Sequence, residues 1–516
     1  MLNTPSKREI GAIAESLGIN LSQGELEDFH GLAEITLDDY ETIQSAPEPL
    51  REPNDVTYGN RSAGYTPKEN PHNVWITKTE IESEEEGPLS GKRIGLKDNI
   101  ALAGVEMTAG SQLLRGYVPD IEAPIVNRLL DAGGTISGKL NMDEFGFSAS
   151  GDYSAYGTVT NPWDPDHLPG GSSSGCGAAL AANEVDIAIG ADQGGSIRIP
   201  AAWCGVVGLS PTTGLVPYTG AIPMDFSIDH LGPMARSVDE VAETLNVIAG
   251  PDEIDPRQPD QLPEVDYTES LDEDISDITI AVLEEGFDHP ESDGAINAEV
   301  REAISRLEEA GATVNEVSIP IHQDAPPIAL LIWSYGGLQV LKQGAQGSLL
   351  GGWYNTKLSQ IFSKSWQSSA DQLTDAAKAT LLAMEYLNQK KQNTLYAKAQ
   401  NLSYALEDAY DSVLDDADLI AMPTVPTQPL TDETEMNRVD KVLRTFPPTK
   451  NTCPFVLTGH PSISVPAGMA DGLPVGLMLV GDHFAEDTLL RVADRLEAVT
   501  DLPDFPDPQM GIRDEQ

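Results

Sequence analysis

Short apolar runs alternate with helical stretches from about residue 90 onward, and this alternation constrains the fold more than any other feature of the sequence. Residues 93–96, 187–190 and 278–283 are typical of buried strands, whereas residues 298–310 and 487–498 have helical character. Strands that alternate with helices predict an α/β domain, in which helices cover a central sheet. The pattern does not determine the order of the strands.

Residues 1–75 differ from the rest of the chain in composition and in the spacing of their apolar residues. Ser22 and Glu25 have the spacing of a capping box and predict the start of a helix. A stretch rich in Pro, Asn and Gly follows at residues 46–73 and is typical of a linker. We therefore predict an N-terminal helical extension and linker over residues 1–75.

The remaining residues, 76–516, are predicted to form the main domain. Within it, residues 325–415 lack strand signals and predict a mainly helical region that shapes a pocket. Three cysteines, Cys176, Cys204 and Cys453, are too few and too irregular for a disulfide framework. Since no CxxC pair or His-rich cluster is present, we expect no metal and no cofactor.

The charge of the chain is extreme. Asp and Glu total 82 against 31 Lys and Arg, which gives a formal net charge of -51. Such a surface repels phosphates and thereby excludes nucleic acid and anionic membranes as direct partners. The acidic residues are spread over the whole chain, which predicts a halophilic protein whose self-repulsion is screened by salt. No signal core and no apolar run of roughly 18 residues occurs, so we expect a cytoplasmic protein.

Two glycine–serine clusters within residues 169–200 are the best candidates for chemistry. Ser172 lies in the first cluster and Ser196 in the second. A serine hydroxyl is a weak nucleophile that needs a base within hydrogen-bond reach. Glycines beside it permit tight turns and leave main-chain N–H groups to hold an oxyanion. The predicted oxyanion cradle consists of Gln193, Gly194, Gly195 and Ser196.

The local pattern leaves alternatives open. A glycine-rich turn before a helix can also bind phosphate, although the Walker pattern GxxxxGK[ST] is absent. Residues 171–175 match GxSxG, the nucleophile elbow of α/β-hydrolases, which would make Ser173 the nucleophile. An elbow should follow a strand directly, and the polar, proline-containing residues 164–169 argue against that interpretation.

This segment resembles the signature of the amidase signature family, whose serine cluster reads GGSSGG and whose nucleophile lies in a GGS[IVL]R-type turn. Here the first cluster reads GGSSSGC at residues 170–176, so Ser174 replaces a glycine and Cys176 a serine. The other matching blocks are residues 95–99 (GLKDN), 138–145 (GKLNMDEF), 161–163 (NPW), 204–208 (CGVVG), 229–233 (DHLGP), 459–461 (GHP), 465–468 (VPAG) and 472–476 (GLPVG).

The resemblance implies an α/β amidase-signature fold, a central mixed β-sheet covered by helices. It also implies that Ser196 is the acylated nucleophile, that Ser172 is a bridging serine preceded by a cis peptide, and that Lys97 is the base. A lysine acts as a base only when neutral, and burial favours the neutral form. The supporting residues are Ser173 and the expected ion pair of Asp192 and Arg198.

The resemblance further implies hydrolysis of carboxamides to a carboxylic acid and ammonia through an acyl-enzyme. Residues 190–200, 215–221 and 228–233 are similar to the nitrile-pathway amidases of soil bacteria. That group carries an N-terminal extension associated with dimerisation, which predicts a homodimer acting on a small amide. Two alternatives stay open: the A subunit of glutamyl-tRNA(Gln) amidotransferase, a glutaminase, and a catalytically silent binding protein on this fold.

Overall fold

The computed structural model describes residues 4–47, 61–83, 85–346, 352–391, 394–433 and 435–506. Contacts divide the chain into two compact units, Met1–Glu52 and Pro53–Gln516. Part of the predicted linker, residues 48–60, lies outside the described residues. The predicted division at residue 75 stays a prediction.

The first unit contains two helices, α1 (Lys7–Ser16) and α2 (Gln23–Ser45). The predicted capping box at the start of α2 is confirmed. The Ser22 hydroxyl accepts a hydrogen bond from the Glu25 amide at 3.3 Å, and the Glu25 carboxylate accepts one from the Ser22 amide at 2.8 Å. Two N–H groups that the helix itself cannot pair are thereby satisfied.

The second unit is built on one eleven-stranded mixed sheet with the order β1-β3-β2-β4-β6-β5-β10-β11-β9-β7-β8. The strands are β1 (Trp75–Glu82), β2 (Arg93–Lys97), β3 (Thr135–Leu140), β4 (Ile187–Asp192), β5 (Val207–Ser210), β6 (His230–Ala235), β7 (Thr279–Leu283), β8 (Thr313–Val317), β9 (Leu419–Pro423), β10 (Ser462–Ala470) and β11 (Leu473–Gly481). Strand β2 is parallel to β3 and β4, and β7 is parallel to β8 and β9, whereas the other pairs are antiparallel. The predicted α/β class with a central mixed sheet is confirmed.

Helices of the second unit pack against this sheet or against one another. They are α3 (Pro124–Asp131), α4 (Ser174–Ala181), α5 (Arg198–Cys204), α6 (Val238–Ile248), α7 (Gly294–Glu309), α8 (Ala325–Lys342), α9 (Thr356–Ser369), α10 (Asp375–Lys391), α11 (Thr394–Leu414), α12 (Arg438–Leu443), α13 (Cys453–Thr458) and α14 (Glu486–Val499). Helices α8 to α11 follow one another within residues 325–415. None of the helices in the described ranges combines the length and the apolar composition that a bilayer span requires.

Strand β4 shows how the sequence builds the centre of the sheet and positions the two serine clusters. All six residues of β4 are buried, as expected for a strand covered on both faces. Helix α4 is also buried along its whole length, and a Cβ on Gly177 would lie 2.7 Å from the carbonyl oxygen of Pro200 in α5. Glycine therefore permits the close approach of α4 and α5. The first serine cluster leads into α4, and β4 leads into the second.

Candidate active site

Lys97 ends strand β2 and is fully buried. Its Nζ donates hydrogen bonds to Ser172 Oγ at 2.8 Å and to the Ala191 carbonyl oxygen at 2.9 Å. In the described part of the chain, no carboxylate lies within ion-pair distance of this ammonium. Burial lowers the pKa of Lys97 from 10.5 to about 8, because the charged form loses its hydration. The structure thus brings together two of the three predicted catalytic residues.

The first serine cluster is shaped by glycines. The peptide bond between Gly171 and Ser172 is cis, as the family resemblance implies. A Cβ on Gly171 would lie 2.1 Å from Asp143 Oδ2. The amides of Gly151 and Tyr153 donate to that carboxylate at 2.9 and 2.8 Å, so Asp143 has little freedom to retreat. Burial of Asp143 raises the pKa of its carboxyl to about 8.

Ser173 contacts β4 and the second cluster. Its Oγ donates to the Ala191 carbonyl oxygen at 3.2 Å, and its amide donates to the Ser196 carbonyl oxygen at 3.2 Å. Among the described residues, no histidine forms a hydrogen bond with Ser173, and no strand directly precedes it. The strand–turn–helix context that a nucleophile elbow requires is therefore missing, which contradicts that interpretation.

Asp192 and Arg198 form a buried ion pair across the turn that carries Ser196. Arg198 Nε lies 3.1 Å from Asp192 Oδ2, and a second guanidinium nitrogen lies 3.1 Å from Oδ1. Burial by itself would raise the pKa of Asp192, but Arg198 and the amides that donate to the carboxylate lower it to about 2. The pair fixes the turn between β4 and α5 in a charged, fully buried form.

The Asp192 carboxylate accepts hydrogen bonds from two of the four residues that were predicted to hold an oxyanion. The amides of Gly194 and Gly195 donate to Asp192 Oδ1 at 3.1 and 2.5 Å. Among the four predicted residues, only Gln193 and Ser196 then keep amides that do not donate to Asp192 in the described structure. The amides of Gly194 and Gly195 therefore hold the turn together. The amides of Gln193 and Ser196 are the two candidate donors for an oxyanion.

Two residues distant in sequence hold this turn in place. Trp333 Nε1 donates to the Gln193 carbonyl oxygen at 2.5 Å, and Thr452 Oγ1 donates to the Gly194 carbonyl oxygen at 2.6 Å. Gly195 has a φ of 127°, and a Cβ there would lie 2.1 Å from Thr452 Oγ1. No local sequence pattern indicates either contact, because α8 and the residues before α13 reach the turn only through the fold.

Ser196 lines a cavity that is partly open to solvent. The other residues around it are Gly146, Phe147, Ser148, Ala149, Gln193, Gly194, Met224, Leu330, Trp333, Ser334, Thr380, Thr445, Phe446 and Thr449. None of these described lining residues carries a formal charge. In the part of the chain that the structure describes, the Oγ of Ser334, which is 1% exposed, has no hydrogen-bond partner. The cavity thus offers apolar walls, hydroxyl groups and a serine.

The structure does not make every contact that the predicted triad needs. Among the described residues, no hydrogen bond joins the Ser172 and Ser196 hydroxyls, although Ser173 links the two clusters. The three cysteines are free and buried. Burial raises the pKa of the Cys176 thiol to about 12, so this residue is a neutral packing group.

The mixed sheet, the buried lysine–serine contact and the glycine-rich turn together define an amidase-signature protein. The family model described as Amidase matches residues 75–490. The chain is 38% identical to an enantioselective amidase of Rhodococcus rhodochrous, over 98% of both chains. The predicted family is confirmed: the chain belongs to the amidase family, and it is a hydrolase that acts on amides.

Other relatives have a different role. The chain is 38% identical to the A subunit of glutamyl-tRNA(Gln) amidotransferase from Haloarcula marismortui, over 82% of this chain and 99% of that relative. The crystal structure of the corresponding Thermotoga maritima protein has a TM-score of 0.73 at 28% identity, covering 85% of this chain and 91% of the other. Membership of the family therefore leaves the particular amide undecided.

Proposed function

We propose that this enzyme hydrolyses uncharged carboxamides to carboxylic acids and ammonia, with Ser196 as nucleophile, Ser172 as bridge and Lys97 as base. The observation that carries the proposal is the buried Lys97 ammonium, which contacts Ser172 and has no carboxylate partner among the described residues. A lysine in this setting releases its proton near pH 8 and can then accept another.

In the proposed acylation step, Ser196 Oγ attacks the amide carbon, and its proton passes through Ser172 to Lys97. The amides of Gln193 and Ser196 stabilise the oxyanion. When the intermediate collapses, the C–N bond breaks and the relay returns the proton to the departing ammonia. Water then attacks the ester through the same relay and releases the acid. The relay requires Ser172 and Ser196 to form a hydrogen bond when substrate fills the cavity, and such contacts commonly tighten only in the complex.

The lining of the cavity favours a neutral amide over glutamine. Free glutamine carries an α-ammonium and an α-carboxylate, and burying either without a partner is costly. The described lining residues supply apolar groups and hydroxyls, with no side chain of opposite charge for either group. The match to the amidase also covers 98% of this chain, against 82% for the amidotransferase relative.

The test measures ammonia release in molar KCl from acetamide, propionamide, benzamide, indoleacetamide and glutamine. We expect activity on one or more of the first four and a loss on the order of 10⁴-fold or more in Ser196→Ala. Ser174→Ala is the matched control, because Ser174 is buried in the same cluster and its Oγ has no hydrogen-bond partner within the described ranges. Added hydroxylamine should yield a hydroxamate, which reports the acyl-enzyme.

The other outcomes decide between the alternatives. Ammonia release from glutamine alone would identify a component of an amidotransferase. No ammonia release from any of the five compounds would favour a catalytically silent binding protein. Full activity of Ser196→Ala on a simple amide would exclude this serine as the nucleophile.

We also propose a homodimer formed through the N-terminal helices. Large apolar side chains on α1, at its end and on α2 are each at least 46% exposed: Ile13, Leu17, Phe29, Leu32 and Ile35. Burying them against a second copy would stabilise a dimer. Light scattering should give twice the mass of the chain, and Leu32→Glu should shift the protein toward the monomer. A monomeric wild-type protein would contradict this proposal.

We further propose that the enzyme works in the cytoplasm of a halophilic cell. Its formal net charge of -51 destabilises the compact state by self-repulsion, which salt screens. The Tm should therefore rise steeply as KCl increases from 0.1 M to molar concentrations. A Tm independent of salt would contradict halophilic adaptation.

A further inference from the structure

Four side chains with metal-binding atoms converge outside the candidate active site. They are Asp411 on α11, His460 between α13 and β10, and Asp482 and His483 between β11 and α14. One ligand atom from each lies within 4.8 Å of the other three. Two imidazoles and two carboxylates are donors that suit zinc and similar divalent transition ions.

The orientation of His483 leaves a nitrogen available for a cation. Its Nε2 lies 3.1 Å from the Thr458 carbonyl oxygen, which can only accept, so Nε2 carries a proton. In the neutral ring Nδ1 then presents a lone pair 3.7 Å from Asp482 Oδ1. Two electron-rich atoms facing each other are stabilised by a proton or a cation between them. A proton would be shared by His483 Nδ1 and Asp482 Oδ1 alone, whereas a metal ion would bind ligand atoms of all four side chains.

His460 lies between the same threonine and a second carboxylate. Its Nδ1 lies 2.8 Å from Thr458 Oγ1, and its Nε2 lies 3.0 Å from Asp411 Oδ1. Without a metal, Nε2 donates to the Asp411 carboxylate, which only accepts. A metal ion would replace that proton, and Nδ1 would then donate to the threonine hydroxyl. Ligating histidines usually donate their second nitrogen to an oxygen that orients the ring. Thr458 provides this oxygen for both rings, through its hydroxyl and its carbonyl group.

We propose that Asp411, His460, Asp482 and His483 bind one zinc-like divalent ion. The ligands are His460 Nε2, His483 Nδ1 and one oxygen of each carboxylate, and the two carboxylates balance the charge of the ion. Ligand atoms of a tetrahedral zinc site are about 3.4 Å apart, so the donors must contract on binding. Asp482 can do so readily, because its side chain is 67% exposed.

The ion would connect three segments of the second unit: α11, the turn before β10 and the loop before α14. None of its ligands lines the cavity that contains Ser196. Its role is therefore structural, and bound metal should raise the Tm without changing the rate of amide hydrolysis.

The test titrates the full-length protein with ZnCl₂ in molar KCl by calorimetry, in parallel with MgCl₂. We expect one saturable zinc ion per chain and a Tm rise of a few degrees with zinc, and neither effect with magnesium. Asp482→Asn and His483→Ala change partly exposed side chains, so the variants should fold and bind zinc at least about tenfold more weakly. His167→Ala removes another His–Asp pair, with Asp164 at 2.9 Å, and should bind zinc as the wild type does.

Two results would overturn the site. Equal binding of zinc and magnesium would show that acidic side chains attract ions without a defined site. Unchanged zinc affinity in both Asp482→Asn and His483→Ala would place the ion elsewhere. Either result leaves the proposed amidase activity untouched, because that activity is measured separately through Ser196→Ala.

Discussion

Two fully buried lysines lie on neighbouring strands of the sheet, and their partners differ. Lys139 in β3 has its Nζ 3.1 Å from Asp98 Oδ1, and both side chains are fully buried. Among the described residues, Lys97 at the end of β2 donates hydrogen bonds only to the neutral oxygens of Ser172 and Ala191. Burial lowers the pKa of both lysines, but Asp98 opposes that effect on Lys139. Lys139 is thus an ion-pair partner, whereas Lys97 has the neutral surroundings on which its proposed role as a base depends.

The comparison teaches that burial alone does not make a lysine reactive. A nearby carboxylate stabilises the ammonium and holds its proton, while hydroxyl and carbonyl acceptors stabilise it less. Asp98 is itself fixed by the Thr108 amide at 2.9 Å. Two lysines 42 residues apart in sequence can therefore share a sheet and a degree of burial and still differ in their proposed roles.

The largest expected effect is on catalysis. Lys97→Met should lower kcat/KM by up to about 10⁴-fold, because the proposed relay loses its base. Its Tm should stay near the wild-type value, since no buried carboxylate is left unpaired. Steady-state kinetics and thermal unfolding in molar KCl measure both. Lys97→Arg should be equally inactive, because a guanidinium does not deprotonate at working pH. A well-folded Lys97→Met with near wild-type kcat/KM would exclude Lys97 as the base.

The next effect is on stability and concerns the other lysine. Lys139→Met should lower the free energy of unfolding by roughly 3–5 kcal/mol, because Asp98 is left buried without its partner. Denaturant unfolding measures this loss. Adding Asp98→Asn should restore part of the stability, since the uncompensated charge is removed. A Lys139→Met variant as stable as the wild type would show that the ion pair is not what distinguishes the two lysines.

A smaller effect should appear in the pH dependence of activity. If Lys97 is the base, kcat/KM should rise about tenfold per pH unit below a pKa of about 8 and level off above it. A stopped assay between pH 6 and pH 10 provides the profile. A plateau that already begins at pH 6 would contradict the proposed proton acceptor.

The same pKa predicts a change in stability. Between about pH 8 and pH 10.5 the unfolded chain keeps a proton on Lys97 that the folded chain has lost. The free energy of unfolding therefore increases as the pH rises through this window, and Lys97 contributes up to about 1.4 kcal/mol per pH unit. Below pH 8 both states are protonated and the contribution is constant. Lys97→Met should lack this slope, so the difference between the two unfolding curves isolates it.

The smallest expected effect concerns salt. KCl should stabilise the wild type and Lys139→Met alike, because the acidic surface is common to both. The stability difference between them should change by less than about 0.5 kcal/mol between 1 and 3 M KCl, since the Lys139–Asp98 pair is fully buried and poorly screened. Unfolding series at both concentrations test this. A difference that shrinks with salt would mean that solvent reaches the pair.

The sequence by itself determined the class of the fold, the family and the position of the two serine clusters. These features are local or contiguous: strand and helix periodicity, glycine-rich turns, and blocks such as residues 95–99. The ion pair of Asp192 and Arg198 was also predictable, because the two residues are separated by a single tight turn. The backbone conformation of a short segment depends mainly on the residue types in that segment. The sequence therefore indicates such local structure directly.

Only the tertiary structure decided which partners each of these residues has. It placed Trp333 and Thr452 against the turn that carries Ser196 and assigned the amides of Gly194 and Gly195 to Asp192. It also gathered the four metal-binding side chains of the proposed zinc site from three separate segments. Such contacts depend on how elements that are distant in sequence pack together. A short sequence pattern does not specify how far apart those elements lie in the folded chain. For the same physical reason, the difference between the two buried lysines becomes visible only in the folded chain.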